Sequence, residues 1–595
     1  MKINILTKIF RRSWIVGFLG LWVVLALHGC NPSHFKTDAA SVTQLVARTG
    51  SDPKTYNAAL IAESPNVGLF INEGLISESK SGETEPALAE KWEISEDKLR
   101  IVFTLKEGLK WSDGHPLTVD DVVFSYNDVY LNPEIPTYTQ DSFKIGKKGL
   151  FPKVRKLDER RVEFITPEPF APFLRSTGAA ILPKHKLAAS VKTKDSAGKP
   201  TFLSTWGMDT DPKEIVSNGP YTIESYSPNQ RVIFRRNPHY WRKDQQGNQL
   251  PYIERIVWQI VDSSDTAAIQ FRSGGLDTLG VGPATFALLK REEKRGNFTI
   301  YNGGPDASTT FVSFNLNTGK RNGKPLVDPI KSRWFNSVAF RQAVAYAIDR
   351  KTMITNTLQG IGQLQNTEVP VQSSFHLSPE KGLKVYEYNP EKAKELLLGA
   401  GFKYNNQNQL VDADGNRVRY TMISQTGSRT FEAFGAQIKR NLSKIGIQVD
   451  YQQIDFGTIG NKLSNTLDWE CWLGYMGGGG FEPHAGFNLW APDGSFHFFN
   501  QKPQPGQSPV TNRKVADWET KIGQLYIQGS QELDEQKRKE IYFETQRISQ
   551  ENQPFIFLVN QLQMAAVRDR IQNVDVSSLF YETVLWNVAH LKVAE

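Results

Sequence analysis

Apolar and polar residues alternate over a short stretch near residue 100. Leu99, Ile101, Phe103 and Leu105 are separated by Arg100, Val102 and Thr104. Because successive side chains of a strand point to opposite faces, this spacing predicts a half-buried β-strand. A turn at Ser112–Gly114 follows, and Thr118 with Asp121 three residues later has the spacing of a capping box, which predicts that a helix begins there.

Three later segments have the spacing that is typical of helices. Asn389 precedes Pro390 and an apolar run that stops before Gly401, an arrangement that predicts an N-cap, a first turn and a C-terminal glycine. Two apolar stripes predict further helices: Phe340, Val344, Ala347 and Ile348, and Phe431, Phe434, Ile438 and Leu442. The second stripe leads into a predicted strand at residues 446–451. Helices and strands alternate, so the fold class is predicted to be α/β.

The first 29 residues have the layout of a secretory signal peptide. Basic residues between Lys2 and Arg12 precede an apolar run from Trp14 to Leu27, which is shorter than the roughly 20 residues of a membrane-spanning helix. Leu27–Cys30 resembles the lipobox of bacterial lipoproteins, in which the cysteine is acylated and becomes the mature N-terminus. We therefore expect a lipoprotein signal peptide at 1–29, a lipid anchor on Cys30 and a tether at 30–45. The alternative is an ordinary cleaved signal with an incidental cysteine.

Length and charge narrow the class of protein. The chain has 595 residues, of which 39% are hydrophobic and 22% charged, a balance that excludes a polytopic membrane protein and a wholly disordered chain. The net charge is +7, but four positive charges lie in the acid-free leader, and the rest of the chain is close to neutral. Nucleic-acid binding therefore loses its main support. The only cysteines are Cys30 and Cys471, so lipidation of Cys30 would leave no intramolecular disulfide.

Common catalytic and nucleotide-binding signatures are missing from the sequence. It contains no H-E-x-x-H, G-x-S-x-G, G-x-x-x-x-G-K-[ST], G-x-G-x-x-G or paired C-x-x-C pattern. The glycine run at 477–480 is not followed by a lysine, so a phosphate-binding loop is not expected. Glu482, His484, Asp493 and His497 are metal-ligating residue types, but their irregular spacing favours solvated loop positions. We expect no enzyme activity, no metal and no cofactor.

Several segments, taken in their order along the chain, resemble one protein family. They are Glu85–Asp97, Phe103–Ser125, Asn218–Tyr221, Arg236–Trp241, Phe340–Arg350 and Asn389–Leu397. Together they are similar to the signature of family 5 of the bacterial extracellular solute-binding proteins, the dipeptide- and oligopeptide-binding components of ABC importers. The resemblance extends from about Asp52 to the C-terminus.

The resemblance implies a two-lobed periplasmic-binding-protein architecture of type II, cluster C-like. Lobe I would comprise residues 46–305, with an inserted subdomain at about 86–210, and a C-terminal return at 561–595. Lobe II would comprise residues 306–560. The chain would cross between the lobes near Pro305–Thr310 and Asn560–Gln563. The apolar strands at these places are also compatible with a plain core.

The same resemblance implies that the protein captures a peptide or peptide-like solute in a cleft between the lobes and delivers it to ABC permease subunits. It would be an exported monomer, lipid-anchored in the periplasm or on the outer face of the cytoplasmic membrane. Two alternatives stay open: an envelope sensor or chaperone that uses the same cleft, and a binder of a glycan or metal chelate. A secreted hydrolase with an unrecognised acid pair is the enzymatic alternative.

The expected ligand site departs from the family pattern. In peptide-binding members, an Asp of a W-x-x-D-like stretch pairs with the ligand's α-ammonium group; the matching stretch here is Trp472–Gly477, and Tyr475 falls at the Asp position. A phenol with a pKa of about 10 does not neutralise an ammonium group at pH 7. We therefore expect free dipeptides and tripeptides to bind poorly unless Glu482 substitutes. Trp472 and Tyr475, which flank Gly474, would form an aromatic wall, although burial of these rings in the core is the alternative.

Two further segments contribute candidate ligand-binding residues by resemblance. The arginine that some relatives use for the ligand carboxylate would fall near Gln425, and Arg429 follows shortly after it. Residues 62–66 resemble the stretch that lies along the ligand backbone in peptide binders, which adds Glu63 and Ser64. For these two residues, helix capping is an equally good interpretation.

Overall fold

The computed structural model describes residues 42–60, 66–146, 148–477, 481–503, 507–580 and 582–594. Cys30, Glu63 and Ser64 lie outside the described residues. Within the described part, no helix has both the length and the apolar character needed to cross a bilayer. The fold is α/β with two lobes, as predicted, and each lobe has its own sheets and its own apolar core.

The first lobe is built on a four-stranded sheet that includes the start of the described chain. Its strands, in spatial order, are Gln44–Thr49, Arg255–Ile260, Arg231–Arg236 and Tyr221–Ser227. The first two strands pair in parallel and the others are antiparallel. Because the first strand begins at Gln44, it takes in the last two residues of the predicted tether.

A second four-stranded sheet lies within the segment predicted to be an inserted subdomain. Its order is Ala89–Ile94, Arg100–Leu105, Arg161–Ile165 and Lys153–Lys156, all antiparallel. The strand predicted from alternation is thus present. It is followed by the predicted helix, in which the Asp120 N–H donates to Thr118 Oγ1 at 3.2 Å and the Thr118 N–H donates to Asp121 Oδ2 at 2.8 Å. The capping box is therefore confirmed.

A third sheet carries the chain between the lobes. Strand Val559–Arg568 pairs with Thr278–Val281 and Phe298–Pro305 of the first lobe, and its first residues pair with Gly362–Leu364 of the second lobe. The chain leaves this sheet at Pro305 and enters the main sheet of the second lobe at Thr309. One strand therefore contacts both lobes.

The second lobe contains a five-stranded mixed sheet. Its order is Gln448–Ile454, Arg419–Gln425, Cys471–Met476, Thr309–Phe314 and Phe555–Phe557. The first three strands run parallel to one another, and Thr309–Phe314 is antiparallel to both of its neighbours. Short two-stranded pairs complete the strands: Ile76–Glu78 with Thr84–Pro86, Lys320–Arg321 with Lys324–Pro325, Lys403–Tyr404 with Leu410–Val411, and Ile571–Gln572 with Lys592–Val593.

Helices cover the sheets of both lobes. Those before residue 300 are Gly68–Ile71, Val119–Val123 with its continuation Phe124–Tyr130, Pro172–Ser176, Lys184–Lys192, Ser264–Arg272 and Pro283–Gly296. Those after it are Pro329–Asn336, Val338–Ala347, Arg350–Asn356, Pro390–Gly399, Arg429–Ser443, Phe456–Asn461, Phe487–Trp490, Asp517–Gln531 and Glu535–Asn552. The three helices predicted from spacing in the second lobe are present, and Asn389 Oδ1 caps its helix by accepting from the Lys392 N–H at 2.9 Å.

Candidate ligand-binding site

A cavity of about 660 Å³ lies in the second lobe, next to the ends of its parallel strands. Tyr475 and Met476 at the end of strand Cys471–Met476 line it, and so does Phe456, which follows strand Gln448–Ile454 at the edge of the same sheet. Ligands of α/β sheets bind outside the carboxyl ends of parallel strands, where the loops diverge. The volume is within the range of small-molecule sites.

The walls of the cavity are mostly apolar. Ile459 contributes from helix Phe456–Asn461 and Leu463 from its continuation Lys462–Thr466. Leu489 and Trp490 contribute from helix Phe487–Trp490, and Phe498 from the short helical turn Phe498–Asn500. Three further aromatic lining residues keep large exposed fractions, 70% for Phe456, 55% for Phe496 and 49% for Tyr475. An exposed cluster of rings around a cavity is typical of a binding surface rather than of a monomer's ordinary exterior.

Trp472 and Tyr475 both line the cavity, but they differ in exposure. Trp472 is 5% exposed, and its ring packs edge-on against Phe311 at 5.0 Å and Phe498 at 5.7 Å between centroids. Trp472 therefore belongs to the core and to the cavity wall at once. Gly474 does not line the cavity; a Cβ at this position would lie 2.4 Å from the Trp472 indole, so the glycine leaves the space that the indole occupies.

Glu482 lines the cavity, but its carboxylate already has a partner. Both oxygens accept from the guanidinium of Arg538, with 2.9 Å between Arg538 Nη1 and Glu482 Oε2. Oε1 also accepts from the His484 N–H at 3.0 Å. Burial raises the pKa of Glu482, but the ion pair with Arg538 outweighs it and holds the pKa below its usual value. This carboxylate is charged and neutralised within the lobe.

Gln425 and Arg429 lie outside the cavity wall. Gln425 ends the strand Arg419–Gln425 and is half-buried, and its carbonyl accepts from Gln453 Nε2 at 3.2 Å. Arg429 is exposed in the first turn of helix Arg429–Ser443, whose N-cap is Ser428. The structure therefore brings together Trp472, Tyr475 and Glu482, but neither of the residues expected near a ligand carboxylate.

Glu368 lines the cavity and was missed by sequence reasoning. It lies in the segment that follows strand Gly362–Leu364. That strand pairs with the start of strand Val559–Arg568, which contacts both lobes. Its Oε2 accepts from the Thr367 hydroxyl at 3.0 Å, and Oε1 is shielded from solvent without a hydrogen-bond partner among the described residues. The signal in the sequence is only an acid beside Val369 and Pro370, which is too common to indicate a site.

The charged residues of the wall are all acidic. Of the described lining residues, Glu368 and Glu482 carry the formal charges, and no Lys, Arg or His is among them. No group of three or more His, Cys, Asp or Glu side chains in the described part is placed to hold a metal ion. Both ring nitrogens of His497, a metal-ligating residue type in the sequence, have protein partners: Nε2 lies 2.8 Å from Glu519 Oε2 and Nδ1 lies 2.9 Å from the Leu489 carbonyl oxygen. The wall can offer apolar surface, aromatic faces and carboxylate oxygens.

Residues 83–497 match the family model of the bacterial extracellular solute-binding proteins, family 5 middle region. The match covers well over half of the 595 residues. The chain belongs to this family. The resemblance that the sequence segments indicated is thereby confirmed.

Relatives of this family member cover almost its whole length. A probable ABC transporter-binding protein of Deinococcus radiodurans is 29% identical over 548 residues, which is 88% of this chain and 87% of the relative. The dipeptide-binding protein of Escherichia coli is 24% identical over 550 residues, 89% of this chain and 90% of the relative. Among solved structures, an oligopeptide-binding protein OppA has a TM-score of 0.74 at 21% identity and covers 93% of this chain and 91% of its own. That structure supports the fold alone.

Proposed function

We propose that this protein captures a peptide or peptide-like solute between its two lobes, against the cavity of the second lobe, and delivers it to the permease of an ABC importer. The observation that carries the proposal is the cavity with its exposed aromatic rim at the carboxyl ends of the parallel strands, in a chain of the solute-binding family. The name of the Escherichia coli relative, a dipeptide-binding protein, supports a peptide-like ligand.

We also propose the division into lobe I at 46–305 and 561–595 and lobe II at 306–560. Two observations support it. The sheet change between Pro305 and Thr309 and the pairing of Val559–Arg568 with both lobes put two chain crossings side by side. Such a pair of neighbouring strands is suited to act as a hinge, because small changes in a few backbone angles move the lobes as rigid bodies.

The location that we propose is outside the cytoplasm. The basic and apolar leader supports export, and the lipobox-like Leu27–Cys30 supports a lipid anchor on Cys30. The protein would act there as a monomer, in the periplasm or on the outer face of the cytoplasmic membrane. The anchor would hold it near the permease, with the tether allowing the lobes to turn.

Mass spectrometry of small molecules that co-purify with the protein tests the proposed function. The mature protein is isolated without added ligand, denatured, and the released compounds are identified. We expect peptides or compounds with peptide bonds at close to one equivalent per chain. A released glycan or metal chelate would contradict the ligand class, and hydrolysis of labelled peptides during incubation would contradict the assignment as a binding protein.

A further inference from the structure

Glu368 is the carboxylate in the cavity wall that lacks a partner of opposite charge. Among the described residues it forms no ion pair, in contrast to Glu482, which faces the same cavity and binds Arg538 through both oxygens. The hydrogen bond from the Thr367 hydroxyl is the contact that holds its Oε2. The wall therefore has one carboxylate whose negative charge, when it is ionised, no cationic side chain of the described part neutralises.

The position of Glu368 is fixed by its neighbours in the chain. The Thr367 hydroxyl lies 3.2 Å from Gln546 Oε1, and the Val369 carbonyl lies 2.9 Å from His376 Nδ1. Gln546 is buried in helix Glu535–Asn552 and also donates to the Phe375 carbonyl at 2.8 Å. These contacts tie the backbone on both sides of Glu368 to the lobe, so the carboxylate is held at the wall rather than on a free loop.

A buried carboxylate without a counter-charge is costly to the protein that contains it. Desolvation of an ionised group costs several kcal/mol unless a partner replaces the lost water, and unpaired acids therefore tend to be protonated. A cation that enters the cavity would supply that partner. An anion would instead meet two acidic side chains and no basic one, and repulsion in a cavity of low polarity is strong.

We propose that Glu368 binds the ammonium or guanidinium group of the solute, and that this cavity selects organic cations with an apolar body. The assignment rests on the proposed function and names the substrate class for it. Glu368 would supply the negative charge for this cation. Tyr475 carries no such charge, and the charge of Glu482 is neutralised by Arg538. A peptide with a free N-terminus or a basic side chain has this chemistry, with apolar side chains against the rings of Phe456, Trp490 and Phe498.

Matched peptide pairs test the assignment by calorimetry at pH 7.5. One pair is the unblocked tripeptide Leu-Leu-Leu and its N-acetylated form; the other is Leu-Lys-Leu with both ends blocked and the same peptide with norleucine in place of lysine. We expect the wild type to bind the cationic member of at least one pair at least tenfold more tightly. Glu368→Gln, which keeps the size of the side chain and removes its charge, should abolish this preference.

Glu582→Gln is the matched control. Glu582 is a half-buried glutamate of the first lobe that does not line the cavity, and desolvation raises the pKa of its carboxyl to about 7, as it does for Glu368. We expect this variant to keep the preference for the cationic peptide. Glu368→Asp, which restores the charge on a shorter side chain, should recover part of the preference.

The outcomes separate this assignment from the proposed function. Equal binding of the two members of each pair by the wild type, or a preference that survives Glu368→Gln, overturns the role of Glu368 and leaves peptide capture standing. Failure of all four peptides to bind counts against both statements. Circular dichroism of each variant at the same pH verifies that a lost preference does not come from unfolding.

Discussion

Three half-buried glutamates of this protein have different partners for their carboxylates. Glu73 accepts from the Tyr240 hydroxyl at 2.5 Å and from Trp241 Nε1 at 2.6 Å, and Glu482 is paired with Arg538. Among the described side chains, Glu368 has the Thr367 hydroxyl as its one hydrogen-bond donor. Burial raises the pKa of Glu368 to about 7, and the hydrogen bonds from its own backbone and from Thr367 oppose this rise only in part. Glu368 is therefore the glutamate whose charge state changes near neutral pH in the cavity wall.

The stability of the ligand-free protein should depend on this carboxyl. The unfolded chain releases the proton near pH 4.5 and the folded chain near pH 7, so the folded state holds more protons between these values and the free energy of unfolding falls as pH rises. Glu368→Gln removes the effect. We expect the variant to be more stable than the wild type by about 3 kcal/mol at pH 8 and close to it at pH 4.5. Urea unfolding at both pH values measures the difference.

Other titratable groups near Glu368 could also contribute to the pH dependence of stability. Tyr526, in helix Asp517–Gln531, is one such group. Its pKa is raised mainly by burial and, to a smaller extent, by the negative charge of Glu368. Glu482 is held charged by Arg538, and burial keeps the pKa of His376 below its usual value. These groups are the same in the wild type and the variant, so their own titration largely cancels from the stability difference at each pH. A variant that is less stable than the wild type at pH 8 would contradict an unpartnered carboxylate and indicate a structural bond.

At the scale of elements, strand Cys471–Met476 owes its arrangement to a small residue. The Trp472 indole folds over Gly474, and a Cβ there would approach the ring to 2.4 Å. The indole in turn forms part of the cavity wall and packs against Phe311 and Phe498. The glycine therefore shapes the cavity without lining it.

Gly474→Ala should disturb both packing and binding. The added methyl group forces the Trp472 ring to move within a well-packed core, which costs about 1–3 kcal/mol of stability. We expect a lower urea midpoint, a shift in tryptophan fluorescence and weaker binding of the solute released from the wild type. Gly399→Ala is the matched control, because a Cβ there meets nothing within 4 Å and lies in helix Pro390–Gly399. Unchanged fluorescence and affinity in Gly474→Ala would contradict the role of the glycine.

The helices, the strands and the family could be predicted well from the sequence because the residues that carry the family resemblance also stabilise the fold. Arg350, at the end of one such segment, donates to the carbonyls of Gln365, Phe557 and Tyr386 at 2.6, 3.2 and 2.9 Å. Asn218, in another, accepts from the Glu73 N–H at 2.8 Å. Most of these partners are distant in the chain, but the apolar and capping residues around Arg350 and Asn218 follow regular local patterns. Strands and capped helices could therefore be predicted from short patterns.

The ligand site could be predicted only in part, for a physical reason. Trp472, Tyr475 and Glu482 lie close together in the sequence, and the structure puts all three on the cavity wall. Whether an acid is free depends on partners that are distant in the chain, as Arg538 is for Glu482 and as none is for Glu368 among the described residues. Such pairing has no local pattern. The positions inferred for Gln425 and Arg429 likewise depended on a loop geometry that short segments do not specify.

At the scale of the whole molecule, the two lobes touch beside the cavity. Phe481, which precedes Glu482 in the chain, is buried, with its ring 5.7 Å from the Arg175 guanidinium and 6.0 Å from the ring of Phe580. Gly82 has positive φ and leaves room for the same ring. Nearby, the Ala171 N–H donates to the Ser530 carbonyl at 2.7 Å. A ring of the second lobe is thus held by residues of the first lobe, one position away from the cavity wall.

Phe481→Ala should weaken the contact between the lobes and, through it, ligand binding. Loss of a buried phenylalanine costs about 3 kcal/mol at most sites, and here the loss falls on the arrangement in which the lobes touch. Because the first lobe adds contacts to a solute in this cavity in the closed arrangement, a smaller closed population lowers the observed affinity, and we expect it to fall by about tenfold or more. Small-angle scattering should show a larger radius of gyration for the variant, and saturating ligand should restore the wild-type value.

Leu398→Ala, at an exposed apolar residue of the second lobe outside the cavity, is the control and should change neither the affinity nor the radius of gyration. A variant with wild-type affinity and an identical scattering profile would show that the Phe481 contact does not contribute to closure.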